Sequence, residues 1–236
     1  MITNILAVGA HPDDIEYFCA GTLFKYKKQG NKIFIALTTS GNQGSNEYTS
    51  RKEIAAIREK EQLEAAKLLE AEVRFMRFDD EGLQDTPETR KAVINAIRWA
   101  NPDVIFTNSP FDPSTDHAMT GKIVSEIILS LPGKNIPADE LPITKVPSLF
   151  FWDTGAGINF LPEVYVDISD VIKLKLEALS KHKSQSAWMD VFQIQGFIEH
   201  CEILSKFRGL QAGCKYAEGF IAHRIHGYMP DFKLLP

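Results

Sequence analysis

The chain reads as an α/β domain: a mostly parallel sheet with helices on both faces. Short apolar runs rich in β-branched residues alternate four times with stretches of helical period, the pattern of β-α-β units. The length, 236 residues, suits a single domain spanning residues 1–236 with a sizeable core. The two segments densest in potential chemistry each follow a predicted strand end, where such sheets gather their sites.

Ile5–Ala10 is the first predicted strand. A helix over Ile15–Gln29 follows and is closed by Gly30. Lys32–Thr38 is the second strand, and Thr39–Tyr48 is a Gly/Asn/Ser loop. Ser50–Leu69 has the period of a long amphipathic helix, with Ser50 and Glu53 placed as a capping box. Val73–Phe78 is the third strand. Pro87, after Thr86, sits at the favoured first position of a helix running to Ala100. Val104–Thr107 is the fourth strand, and a helix is expected from about Asp116 to Leu131. Pro132–Pro147 has little periodicity and reads as a surface connection. Ser148–Trp152 and Val164–Ile168 are further strands. Helical patterns resume at Ile172–Lys183 and Gly196–Phe207, and Phe220–His223 forms a last strand.

Apolar residues make up 44% and charged residues 24%, with a net charge of -5, so no general basic footprint for nucleic acid or an anionic membrane is expected. No run approaches the roughly 20 apolar residues of a membrane span, and the start of the chain lacks the pattern of a secretory signal. Cys19, Cys201 and Cys214 are widely spread and odd in number, which reads as reduced and structural. Together these features place the protein in the cytoplasm.

Chemistry concentrates in two segments. Gly9-Ala10-His11-Pro12-Asp13-Asp14 sets one imidazole and two carboxylates straight after the first strand. Two readings are open: Asp14 caps the following helix, or His11 and Asp14 hold a metal ion and Asp13 is left free as a base. Asp112-Pro-Ser-Thr-Asp116-His117 follows the fourth strand. Asp116 and His117 either open a helix or supply a third ligand through His117. Two histidines and one carboxylate leave open positions on zinc, as catalytic sites require.

Taken together, His11-Pro-Asp13-Asp14 and, about a hundred residues later, Asp116-His117 resemble the signature of the PIG-L/LmbE-like de-N-acetylases. Arg58-Glu-Lys-Glu61 is similar to that family's Arg-x-x-Glu, and Phe78-Asp-Asp80-Glu-Gly82-Leu83 to its Asp-Gly-x-Leu loop. His182-Lys-Ser184-Gln185 and Tyr216-Ala-Glu218-Gly-Phe220 resemble two later segments. The resemblance covers most of the chain. It implies a Rossmann-like sheet carrying Zn2+, with Fe2+ or another divalent metal as alternatives. His11, Asp14 and His117 would be the ligands and Asp13 the general base. The implied reaction is hydrolysis of an N-acyl, chiefly N-acetyl, amide on a sugar-containing small molecule. Members range from monomers to hexamers, so a homo-oligomer is among the implied states.

One position departs from the pattern. Many members carry histidine three residues before the ligand histidine, where this chain has Ser114. Serine donates a hydrogen bond but carries no positive charge. His182, His200, His223 and His226 are the candidates to replace that function.

For substrate contacts the sequence offers Arg58 and Asp80, which resemble sugar-binding positions, together with Ser114 and Arg208. Arg208 would take an acidic or phosphorylated group. The bland alternatives are that Arg58 pairs with Glu59 or Glu61 on its own helix, Asp80 is a turn residue, and Arg208 sits at a helix C-terminus. Glu218 is either a buried residue orienting a ligand histidine or an exposed charge. The loop Thr39–Ser45 lacks the lysine of a phosphate-binding loop and reads as mobile. Trp152 and Trp188 read as core.

Two other functions stay in view. One is a metal-binding family member with weak or no deacetylase activity, for which Ser114 argues. The other is a Rossmann-type ligand-binding protein, against which stands the lack of Gly-x-Gly-x-x-Gly after the first strand.

Overall fold

In the computed structural model, residues 3–191, 194–225, 227–228 and 235–236 are described. Seven strands form one sheet: β1 (Asn4–Gly9), β2 (Lys32–Thr39), β3 (Glu72–Phe78), β4 (Val104–Thr107), β5 (Ser148–Trp152), β6 (Val164–Asp167) and β7 (Ala217–Ala222). Their order is β3-β2-β1-β4-β5-β7-β6. The first five strands pair in parallel, and β7 runs antiparallel to both β5 and β6.

Successive strand residues point to opposite faces, and β1 shows the consequence. Ile5 and Ala7 enter one core with α1 (Asp14–Phe18), α2 (Ala20–Lys28), α3 (Arg51–Leu69), α6 (Ile172–Leu179) and α8 (Phe197–Ala212). Leu6 and Val8 enter the other, with α4 (Pro87–Ala100) and α5 (Thr115–Ile127). The expected sheet with helices on both faces is therefore present.

Boundaries shifted where tertiary contacts outweigh local pattern. The single helix expected over Ile15–Gln29 breaks at Cys19, whose φ is -141°. The second half starts afresh because Glu218, from β7, accepts hydrogen bonds from the amides of Gly21 and Thr22 at 2.9 and 2.7 Å. A distant strand thus caps α2. Ile172–Lys183 divides similarly: α6 ends at Leu179 and α7 (Lys183–Met189) begins after His182. Ser50 accepts from Glu53 N, the Ser50 half of the expected box. Thr86 and Thr89 form a full box across Pro87.

The strand order reverses between β1 and β4, with β2 and β3 on one side and β5 on the other. Their carboxyl ends border a crevice there, the place where open sheets bind ligands. Gly121 in α5 lets that helix lie against the segment after β4. A Cβ at Gly121 would fall 2.3 Å from the Asn108 carbonyl oxygen.

Candidate active site

The turn after β1 delivers His11, Asp13 and Asp14. Asp14 uses one oxygen structurally: Oδ2 accepts from the amides of Ala10 and His11 at 2.8 and 3.0 Å and from Asn108 Nδ2 at 3.3 Å. Its Oδ1 lies 3.2 Å from His117 Nε2 and 3.9 Å from His11 Nδ1. The two imidazoles approach to 3.1 Å through His11 Nδ1 and His117 Nε2. Three donor atoms from two distant loops therefore converge, as the sequence led us to expect.

The far nitrogens are held by carboxylates. His11 Nε2 sits 2.7 Å from Asp80 Oδ1 and 3.3 Å from Asp116 Oδ2. His117 Nδ1 faces Asp112 Oδ2 at 3.2 Å, and neither of these buried atoms has another partner. The outer nitrogens thus face Asp80, Asp116 and Asp112, while His11 Nδ1 and His117 Nε2 turn inward toward each other and toward Asp14 Oδ1. This carboxylate–histidine arrangement orients metal ligands. Burial would lower the His117 pKa, but the Asp14 carboxylate overrides it and lifts the value to about 9. Burial works against ionised Asp14 as well, and His117 and His11 reverse it, holding that carboxyl below the usual range.

These residues fit a divalent ion. Donor spacings of 3.1, 3.2 and 3.9 Å bracket the edge, about 3.3–3.6 Å, of a tetrahedron with bonds of about 2.0–2.2 Å. Four carboxylates, those of Asp14, Asp80, Asp112 and Asp116, are buried around two imidazoles, and such a concentration of negative charge calls for a cation. A second group, His11, Asp80 and Asp116, also lies within ligand distance. Asp116 accepts from the amides of Glu81 and Leu83, and Asp80 from the Gln43 amide, whereas Asp14 Oδ1 accepts from no amide.

Asp13 has φ 112°, a conformation costing about 1–3 kcal/mol for a non-glycine residue. It is held at both ends. Its carbonyl accepts the helical bond from Tyr17 N at 2.9 Å, and its amide donates to Gln62 Oε1 at 3.3 Å. Burial, then the Asp14 charge, push the Asp13 carboxyl up to about 7, against the pull of His182, Arg58 and His11. That is the range of a working general base.

Behind Asp13 lies a network that sequence reasoning missed. Gln62 Nε2 donates to Glu16 Oε1 at 2.9 Å, and Glu16 Oε2 lies 3.1 Å from His182 Nε2. All three side chains are buried. Glu16 and Gln62 fall on helix faces that look like ordinary core boundary in the sequence, and only the fold brings them together. Burial lowers the His182 pKa, but Glu16 more than offsets this and raises it. A raised histidine stabilises the fold below its unfolded pKa near 6.5 and loses that contribution as pH climbs through the folded value. Chemical denaturation of metal-free protein should therefore show a decline in stability above about pH 6.5 that Glu16→Gln flattens. Parallel pH curves for the two proteins would contradict the pairing.

A cavity of about 320 Å³ lies over the centre, lined by His11, Asp13, Asp14, His117 and Ser114 together with Tyr17, Phe18, Met189 and Phe197. A second lobe of about 490 Å³ adjoins it, sharing His11, Pro113, Ser114 and Gln185 and adding Gln43, Arg58, Glu81 and Trp188. Arg58 is not paired along its own helix. Its Nη2 donates to Gly44 O at 2.6 Å and to Gln185, and its Nε is buried without a partner. Glu59 pairs with Arg77 instead, and Glu61 accepts from Ser184. Ser114 starts α5, caps no amide with its hydroxyl, and lines both lobes.

Several expectations need correction. Arg208 does not reach the cavity. It is buried and bidentate to Asp153, at 2.5 and 2.9 Å, so it has no charge to offer an acidic substrate group. Asp80 lines the second lobe, and its oxygens already engage His11 and Gln43. Glu218 caps α2 and pairs with Lys175, away from His11 and His117. The loop after β2 is tied down, with Asn42 bonded to Asp79 and Asp80. Trp152 is core, but Trp188 lines the polar lobe.

Among the histidines offered in place of Ser114, His182 lies behind Asp13. His200 contacts the Tyr17 hydroxyl. His223 bonds through its amide to Leu149 O near the start of β5, at the opposite end of the sheet. His226 lies outside the described residues.

The fold and site define an α/β protein with a candidate divalent-cation centre at the topological switch point of its sheet. The chain belongs to the PIG-L family, GlcNAc-PI de-N-acetylase, which it matches over residues 6–128. It is 27% identical over 223 residues to the diacetylchitobiose deacetylase of Thermococcus kodakarensis, covering 92% of this chain and 82% of that one. It is 30% identical over 192 residues to a probable N-acetyl-alpha-D-glucosaminyl L-malate deacetylase 2 of Bacillus anthracis, covering 78% and 82%. The solved N,N'-diacetylchitobiose deacetylase from Pyrococcus horikoshii superposes with a TM-score of 0.80 at 27% identity, over 93% of this chain and 83% of that chain.

Proposed function

We propose that the protein is a divalent-metal-dependent hydrolase that removes an N-acetyl group from a sugar-containing small molecule, with zinc the first candidate and iron(II) an alternative. The observation that carries this reading is the convergence of His11 Nδ1, Asp14 Oδ1 and His117 Nε2 beside a free, buried Asp13 carboxylate. The deacetylases among its relatives support the substrate class.

His11, Asp14 and His117 would hold the ion, which when bound supplies Lewis acidity, acidifying water towards a pKa of about 7 and polarising an amide carbonyl. Asp13 takes the proton from the attacking water and returns it to the departing amine. Asp14 cannot share that task, since one of its oxygens is saturated by amides and the other faces the histidines. Asp80, Asp112 and Asp116 keep the two imidazoles in the tautomer that presents lone pairs inward. Ser114 offers a hydroxyl at the junction of the lobes, without the charge of the histidine common at that place. Arg58, Gln43 and Trp188 give the adjoining lobe the hydrogen-bonding and stacking groups that suit a sugar.

The three cysteines are free, which supports a reducing, cytoplasmic setting. No helix of the described residues is long and apolar enough to cross a membrane.

His117→Ala is expected to abolish stoichiometric zinc binding and with it the hydrolysis of N-acetylglucosamine conjugates to acetate and the free amine. Metal analysis and an amine assay read the two outcomes. Full metal content in His117→Ala would remove the ligand assignment. A metal-loaded wild type that releases no amine from any acetylated sugar would favour the silent, metal-binding alternative, for which Ser114 is the structural argument.

A further inference from the structure

We infer that the lobe over the metal donors receives the acyl tail and is built for chains longer than acetyl, an inference that rests on the hydrolase reading above. The division of the cleft carries it. Asp13, Asp14 and His117 line only the lobe of about 320 Å³, so the scissile carbonyl has to enter there. Arg58, Gln43, Glu81 and Trp188 line the other lobe and not this one, and that lobe is the one furnished for hydroxyl groups. A substrate placed with its sugar among those polar groups and its carbonyl at Asp13 directs the group beyond the carbonyl toward Tyr17, Phe18, Met189 and Phe197.

That end of the lobe is apolar. Phe18 is buried and stacks on Trp152, Phe197 stacks on Tyr17, and the Tyr17 hydroxyl is taken by His200. None of these groups offers a polar atom in want of a partner. An acetyl methyl is about the size of a water molecule, whose share of liquid volume is about 30 Å³, so it fills a small part of the space. Additional methylenes would leave water for an apolar wall, a gain worth roughly fourfold per group while unfilled wall remains.

The experiment compares N-acetyl-, N-butyryl- and N-hexanoylglucosamine with the zinc-loaded enzyme. The expected result is kcat/KM rising along the series, by up to roughly 10²-fold from acetyl to hexanoyl. Gly155 borders the lobe, and a Cβ there meets no atom within 4 Å, so Gly155→Leu starts a side chain in open space at the lobe's edge. It should lower the hexanoyl-to-acetyl ratio at least tenfold. Calorimetry of the same three compounds with zinc-loaded Asp13→Asn reads the lobe without turnover. Affinity that tightens with chain length supports the lobe even if no compound is hydrolysed, in which case the hydrolase reading fails alone. Acetyl release with no gain in binding or kcat/KM on lengthening overturns the acyl lobe and leaves the hydrolase standing.

Discussion

Replacing Asp13 with asparagine is expected to lower turnover of an N-acetyl sugar by about 10²- to 10⁴-fold, the usual worth of a positioned general base, while zinc content stays unchanged. The separation of the two effects follows from geometry. The three clustered donors belong to His11, Asp14 and His117, and Asp13 stands beside them without joining the cluster. The amide of asparagine keeps the shape of the carboxylate but cannot accept the proton of water. The backbone is the other concern, because Asp13 has φ 112°. Asparagine is among the residues that best tolerate positive φ, and Gln62 and Tyr17 hold the turn through main-chain atoms of Asp13. The variant should therefore fold and load normally. Equal loss of metal and activity would make Asp13 a ligand, and turnover within tenfold of wild type would take the base role from it.

The parts of this protein legible in the sequence are those encoded locally. Alternating apolar runs and helical periods pointed to the parallel sheet, and His11-Pro-Asp13-Asp14 stood out because three such side chains seldom follow one strand by chance. Asp112, Asp116 and Asn108 were harder. Each is a common residue at a loop or helix start, and its role depends on which imidazole or carboxylate the fold sets opposite it. The Gln62–Glu16–His182 network could not be read at all, since its members come from separate segments and are joined only by burial. Arg208 misled for a related reason. An arginine near a helix end looks available until Asp153, fifty-five positions earlier, is seen to occupy it. Arg58 went the other way. Its helix supplies Glu61 at i+3, yet Ser184 takes it, while Glu59 pairs with Arg77, and the guanidinium turns into the cleft.

Glu218→Ala is expected to cost about 3–5 kcal/mol of folding stability, the range for breaking a buried ion pair, and more than the reciprocal Lys175→Met. Lys175 is 1% exposed and donates to Glu218 Oε1 at 2.6 Å. Truncating the glutamate leaves that ammonium buried with no counter-charge. It also strips α2 of its cap, since the Gly21 and Thr22 amides and the Thr22 hydroxyl all donate to the same carboxylate. Lys175→Met leaves those three donors in place to stabilise Glu218, and a methionine of similar length fills the space. A pH titration separates charge from packing. In wild type, burial lowers the Lys175 pKa but Glu218 outweighs it, so the value is raised. Without Glu218, burial is the largest effect and outweighs what Cys201 and Cys19 contribute, and the folded pKa falls below the unfolded one. The unfolded chain then binds more protons, so stability of Glu218→Ala should rise with pH as lysine sheds its charge. Urea denaturation of both variants at about pH 7 and pH 9.5, both below the ordinary lysine value of about 10.4, measures this. If the Glu218→Ala deficit stays constant between the two, its cost comes from the lost cap and packing rather than from the buried charge.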